Sequence, residues 1–174
     1  MTRFYFSLNV LAYLLIILLT SSCGAFAPSD GPSSESRTTY IDGTQRLRNQ
    51  IVDYSEELVG TKYRYGGVNP RSGMDCSGLT NYVFQNAGIT LRRSSGEQAK
   101  DGSSIKLKDA QPGDLVFFKK GGRVFHVAVI TNYDGNNMQV VHSTTSRGVI
   151  KEEVLHNSYW GPKVAFVRDV ISVN

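Results

Sequence analysis

The sequence predicts an α+β domain over residues 44–174, with helices first and antiparallel strands after. Three observations carry this reading. Leu47, Ile51, Tyr54 and Leu58 recur at helical spacing, and residues 77–87 form a second helical stretch. Five segments rich in β-branched and aromatic residues follow, at 114–119, 124–131, 138–143, 149–154 and 164–170. Glycine and asparagine clusters separate the first of them, as hairpins require. At 174 residues and 40% hydrophobic, the chain can bury one core and is not wholly disordered.

Each element has its own start and stop signals. Thr44 is placed to cap the first helix and Gly60 to end it. Residues 63–73 are glycine-rich around Asn69-Pro70 and read as a loop. Gly88 stops the second helix. Residues 89–111 read as mostly irregular, with a short helix near 95–100. Lys120-Gly121-Gly122 turns the first strand into the second, and Asp134-Gly135-Asn136-Asn137 turns the second into the third.

The N-terminus is a processing segment. Arg3 is the only charged residue before Asp30, and residues 10–19 are an unbroken apolar run. A membrane span needs ~20 such residues, so this run has the length of a signal-peptide core. Thr20-Ser21-Ser22 precede Cys23, which resembles a bacterial lipoprotein signal with cleavage after residue 22 and lipid on Cys23. Leu usually stands three residues before such a cysteine; here Thr20 does, with Leu19 one step further away. An ordinary cleaved signal or an uncleaved anchor are the other readings. Gly24 stands where an inner-membrane retention signal places Asp, so the resemblance implies an outer-membrane lipid anchor with the domain facing the periplasm. Residues 23–43, rich in Gly, Ala, Pro, Ser and Thr, read as a flexible tether.

Charge and cysteine content narrow the function. The net charge is +4, from 19 basic and 15 acidic residues that form no long run, which argues against nucleic-acid binding. No cysteine pair has zinc-site spacing, so no metal or other cofactor is expected. With Cys23 lipidated, Cys76 is the one remaining thiol of an oxidising compartment where structural cysteines come in pairs. It is then either a nucleophile or a small buried hydrophobe.

Cys76 sits where the glycine-rich loop meets the second helix. Backbone N–H groups and the helix dipole there favour a thiolate and offer donors to an oxyanion. His126 and His142 lie on consecutive strands of one hairpin. Cys, then His, then a polar residue is the order of papain-like cysteine peptidases. The bland readings are a hydrogen-bonded core histidine at 126 and a solvent-facing one at 142. His156, in a polar loop, reads as incidental. Strand parity adds a condition. A four-residue tip with Tyr133 opposite Met138 sets His142 opposite Val129, on the face away from His126. The pair therefore requires an odd tip over 133–137, or a bulge that restores parity and sets His142 opposite Ala128.

The local motifs resemble the NlpC/P60 family of bacterial cell-wall cysteine peptidases. In chain order they are Gly60-Thr61-Lys62-Tyr63-Arg64-Tyr65-Gly66-Gly67, Asp75-Cys76-Ser77-Gly78-Leu79, Arg93-Ser94-Ser95-Gly96-Glu97-Gln98 and Pro112-Gly113-Asp114-Leu115-Val116-Phe117-Phe118, then His126-Val127-Ala128-Val129 and His142-Ser143-Thr144-Thr145-Ser146-Arg147-Gly148-Val149. The family often has Gly where Ala128 stands, and the gap from His126 to His142 is longer than usual. The resemblance implies a papain-like fold, with N-terminal helices packed on an antiparallel sheet. It implies Cys76 as nucleophile, His126 as base, His142 as the third polar residue and a tyrosine at the oxyanion site, for which Tyr63 and Tyr65 both qualify and Tyr63, following Gly-Thr-Lys, is preferred. Asp75, Ser77 and Arg93 would bind polar groups of the substrate, the alternative for Asp75 and Ser77 being that they only satisfy the turn. It further implies a peptidoglycan hydrolase, cutting stem peptides between γ-D-glutamate and a diamino acid through a Cys76 thioester formed from a thiolate–imidazolium pair. The partners are then stem peptides and, through the lipid, a membrane, with the protein a monomer. The rivals are an inactive relative that binds cell wall and an acyltransferase or amidase on the same scaffold.

Overall fold

A computed structural model of the chain describes residues 34–172, with side chains from Asp42 onward. The signal segment, Cys23 and Gly24 lie outside the described residues. The first helix, α1 (Ser34–Glu57), begins well before the expected cap at Thr44, so Thr44 is interior and residues 34–43 of the expected tether are helical. Composition argued for a tether because Ser, Thr and Gly are modest helix formers. Pairs one turn apart, Asp42 with Arg46 and Gln45 with Asn49, support the helix locally.

The loop after α1 contains a small antiparallel ladder, β1 (Val68–Asn69) with β2 (Gly73–Met74), where glycine content alone suggested only loop. Then come α2 (Cys76–Asn86) and α3 (Ser95–Gln98), the latter opened by a reciprocal capping box between Ser94 and Glu97. The strands β3 (Ser103–Ile105), β4 (Leu115–Lys120), β5 (Arg123–Tyr133), β6 (Met138–Thr144), β7 (Gly148–Glu153) and β8 (Val164–Asp169) form one antiparallel sheet in the order β3-β8-β4-β5-β6-β7. Strand β3 pairs only with β8, and its Ser-Ser-Ile sequence gave too weak a signal to separate it from irregular chain. The architecture is the expected α+β domain. Among the described residues no helix is long and apolar enough to cross a membrane.

Alternation along the strands divides the core in two. Leu115, Phe117, Val127, Val129 and Val141 pack with Ile51 of α1 and Leu79, Val83 and Phe84 of α2. Val116, Phe118, Ala128, Ile130 and Val140 pack with Trp160 and Val154. Helix α1 is fastened to the sheet by a buried ion cluster. Arg48 Nη1 lies 2.7 Å from Asp114 Oδ1, and Nη2 lies 3.0 Å from Asp169 Oδ2.

The hairpin of β5 and β6 carries a register slip. Tyr133 opposes Met138 and Asn132 opposes Gln139, as the four-residue tip demands. Beyond the slip Ile130 opposes Val140 and Val129 opposes Val141. Thr131 is the extra residue, a bulge of the kind that parity requires.

Candidate active site

The first turn of α2 is built by its neighbours. Asp75 caps the helix, its Oδ1 accepting from Gly78 N–H at 2.6 Å, and Asp75 N–H donates to Gly67 O at 3.1 Å. A Cβ at position 78 would lie 1.9 Å from Gly67 O, so only glycine lets the loop close against the helix here. Cys76 is thereby fixed as the first helical residue, half-buried and free of any disulfide.

Burial pushes the Cys76 thiol up to about 11, with the neighbouring Asp75 charge adding to it. The backbone N–H groups of Val127, Ser77 and Cys76 itself pull the other way and are outweighed. His126 is 6% exposed, and burial, with the facing His142, holds its basicity well below the ordinary histidine range. Both directions run against the expected thiolate–imidazolium pair and toward a neutral thiol beside a neutral imidazole. The helix dipole favours the anion, but desolvation is the larger effect.

His126 Nε2 lies 3.0 Å from His142 Nδ1. His142 is fully buried, not solvent-facing, and its Nε2 lies 2.8 Å from Glu152 Oε1. Burial again lowers its basicity, against the Glu152 hydrogen bond and charge. Trp160 stacks on His126 with centroids 4.6 Å apart and sits 5.0 Å from His142, while Phe118 lies 5.6 Å from His126 and meets Trp160 edge-on at 5.0 Å. Both imidazoles are thus held by packing and by hydrogen bonds.

Cys76, His126 and Tyr63 line one cleft of about 500 Å³, together with Phe125, Arg147, Tyr159 and Trp160. Tyr63 bridges to Met74, and burial raises its phenol, as does the Cys76 charge. Of the two candidate tyrosines, Tyr65 is 89% exposed and lies outside this cleft. A second depression of about 400 Å³ meets the first at Tyr63, Cys76 and Phe125 and contains Asp75, Ser77 and Arg93. Those three form one network. Arg93 Nη1 donates to Ser77 Oγ at 3.0 Å, Arg93 Nη2 pairs with Asp75 Oδ2 at 3.2 Å, and Ser77 Oγ donates to Asp75 Oδ1 at 3.0 Å. His156 pairs with Glu153 at 3.6 Å and does not line the cleft. Among the described residues no group of three His, Cys, Asp or Glu side chains is arranged to hold a metal ion.

Residues 60–169 match the model of the NlpC/P60 family. The chain belongs to this family. The chain is 43% identical over 110 residues to the Gamma-DL-glutamyl hydrolase of Bacillus subtilis, covering 63% of this chain and 27% of that protein. It is 36% identical over 151 residues to the "Probable endopeptidase NlpC" of Escherichia coli, covering 84% of this chain and 90% of that one. A crystal structure of an NlpC/P60 family protein from Bacillus cereus superposes with a TM-score of 0.65 at 29% identity, covering 71% of this chain and 40% of that one. The chain therefore spans about a quarter of the length of the Bacillus subtilis relative.

Two residues of this NlpC/P60 site escaped the sequence reading. Glu152 was within reach of the parity argument. His142 opposes Ile150, and Glu152 lies two residues on, with its side chain on the same face. Trp160 gave no such signal, because a loop returns it to the imidazoles from outside the sheet.

Proposed function

We propose that this NlpC/P60 protein is a cysteine endopeptidase of peptidoglycan stem peptides, cutting between γ-D-glutamate and a diamino acid. The observation that carries the reading is the cleft shared by Cys76 at the start of α2 and His126, whose far nitrogen is committed to His142. The name of the Bacillus subtilis relative supports the choice of bond. The intact Cys, His, His constellation weighs against an inactive wall-binding relative.

The chemistry is written from a neutral resting pair, the state toward which burial drives both groups. As Cys76 Sγ attacks the carbonyl carbon, its proton passes to the free nitrogen of His126. The N–H groups at the start of α2, with the Tyr63 hydroxyl, receive the oxyanion. His126 then gives its proton to the leaving amine, and the thioester remains. Water, deprotonated by neutral His126, attacks the thioester and frees the sulfur. His142 holds the imidazole in line throughout. Asp75, Ser77 and Arg93, in the adjoining depression, bind the peptide's polar groups.

The test is digestion of purified sacculi by the full chain, with mass-spectrometric identification of the new ends. A new γ-D-glutamyl carboxyl end and a new diamino-acid amine end are expected, and Cys76→Ala should release neither. Ends at any other bond overturn the substrate assignment, and undiminished release by Cys76→Ala overturns the nucleophile.

The location is proposed with it: a lipid on Cys23 holds the domain at the outer membrane, facing the periplasm, so that enzyme and polymer meet at high effective concentration. Cys23→Ser should move the protein from the membrane to the soluble fraction with its activity on soluble wall fragments intact. Unchanged membrane association in that variant would refute the anchor.

A further inference from the structure

Resting on the peptidase reading above, we propose that Glu152 is a positioning residue that fixes the direction of the protons across His142 and His126, leaving Nδ1 of His126 as the base toward Cys76. The argument is an inventory of donors and acceptors. Glu152 Oε1 receives His142 Nε2 at 2.8 Å, Arg147 Nη2 at 2.8 Å and Trp160 Nε1 at 3.0 Å, and Oε2 receives Arg147 Nη2 at 2.8 Å. An arginine and an indole N–H only donate, so this carboxylate is an acceptor on every side. Burial works against its charge, but the hydrogen bonds from Arg147 and His142 outweigh it and hold the carboxyl below its usual range.

Since Glu152 accepts, His142 Nε2 carries the proton. A neutral imidazole then has a lone pair on Nδ1. That Nδ1 is the atom 3.0 Å from His126 Nε2, so His126 Nε2 must donate and carries the proton in turn. The lone pair of His126 is left on Nδ1, the nitrogen not engaged by His142. The opposite polarity would set a His142 lone pair against the carboxylate at 2.8 Å. A carboxylate two residues removed from the thiol thus selects which histidine nitrogen acts as base. No proton needs to reach Glu152. The thiol proton stops on His126 Nδ1, and the resulting cation is stabilised through His142 by the Glu152 charge. The same carboxylate also holds Trp160, whose ring stacks on His126.

The titratable and charged groups around the imidazole pair are Cys76 from α2, Tyr63 from the loop before β1, Arg147 from the β6–β7 turn, Glu152 from β7 and Tyr159 from the loop before β8. Arg147 opposes the Glu152 charge at His142, so removing Glu152 leaves an unopposed cation there. Both effects disfavour imidazolium. The pH below which the base is lost should therefore fall in a Glu152 variant, together with the plateau rate.

The test uses the full chain with ¹⁵N-labelled histidine, as wild type, Glu152→Ala and Glu152→Gln, with His156 as the surface reference. Nitrogen shifts in neutral solution should show both buried rings protonated on Nε2 in the wild type and a mixture of tautomers in Glu152→Ala. The Gln variant keeps an oxygen for the same three donors and should recover the wild-type tautomers. On soluble muropeptides, Glu152→Ala should lose roughly 10- to 100-fold in kcat with KM little changed, less than the ~10²–10⁴-fold of the base itself. In Glu152→Gln the acid limb of kcat/KM should move down by about one pH unit, because the charge is gone while the geometry stays. Wild-type rings protonated on Nδ1, or Glu152→Ala spectra like the wild type's, would overturn the proposal. So would an acid limb unmoved in Glu152→Gln, which is what a merely structural glutamate predicts. If the wild type cleaves no muropeptide, the peptidase reading fails, and the ring spectra still decide the role of Glu152.

Discussion

His126 and His142 meet at 3.0 Å across a hairpin whose two ends are in different registers, and Thr131 absorbs the difference. Upstream, Val129 and Val141 are fully buried and pin the pairing that puts both imidazoles on one face. Downstream, Asp134 Oδ1 accepts from Asn136 N–H at 2.9 Å and Asn137 N–H at 2.7 Å, which fixes a four-residue tip. The two demands differ by one residue.

It follows that Thr131 is dispensable to the pairing. Deleting it leaves Ile130 opposite Val140 and Asn132 opposite Gln139 in an unbroken ladder, with the imidazoles still facing one another. The deletion variant should fold and keep wall-lytic activity within about tenfold of the parent, since the base is untouched. Circular dichroism and sacculus digestion check this. A folded but inert variant would mean that the bulge itself aims β5, by its twist, at the cleft.

Removing the two histidines separately should give unequal losses. His126→Ala removes the proton carrier and should cost ~10²–10⁴-fold in kcat. His142→Ala removes the group that orients it, and water can enter the vacated space to accept from His126 Nε2, so more activity should survive. Equal losses would mean that the pair works as one unit.

The sequence was legible where side chains alternate. The β-branched runs at 124–131 and 138–143 are enough for parity to require either an odd tip or a bulge, and β5 and β6 take the bulge, at Thr131. Cys76 at a loop–helix junction was equally visible. The burial that opposes ionisation of its thiol was not. A helix start can be read from residues in order, whereas desolvation depends on what closes over the thiol from β5 and the loop around Tyr63. Trp160 is placed by a loop that folds back across the sheet, and Ser103–Ile105 becomes a strand only because β8 offers an edge. Both follow from tertiary placement, to which local patterns are blind.

The protonation states predict a pH dependence. A thiol raised to about 11 is mostly protonated at neutral pH, so alkylation of Cys76 by iodoacetamide should accelerate steadily as pH rises through the neutral and alkaline range. With basicity held well below the histidine value, His126 stays neutral under mildly acidic conditions. Peptide cleavage, which needs that neutral imidazole, should therefore persist below the ordinary histidine pKa of ~6.5. Fast alkylation that is flat down to mildly acidic pH would instead reveal a thiolate–imidazolium pair.

The last prediction concerns how α1 is held. Arg48 lies between two carboxylates with only 4% of its side chain exposed, and Asp114 beneath it is fully buried. Arg48 Nη1 also donates to Pro112 O at 3.0 Å, so one guanidinium joins α1 to the start of β4 and the end of β8. Replacing Arg48 by Met keeps much of the volume but strands Asp114 without its cation, which should cost about 3–5 kcal/mol of folding free energy. Asp169 is better provided for, since Oδ1 still accepts from Ile171 N–H and Ser172 N–H. The penalty should therefore fall mainly on Asp114. The double variant Arg48→Met, Asp114→Asn should recover a substantial part of the loss, because an amide carries no charge to bury and still accepts from Gln111 N–H. Denaturant unfolding of the three proteins measures both numbers. A single variant within about 1 kcal/mol of the parent, the range of an exposed pair, would show that the cluster does not fasten the helix.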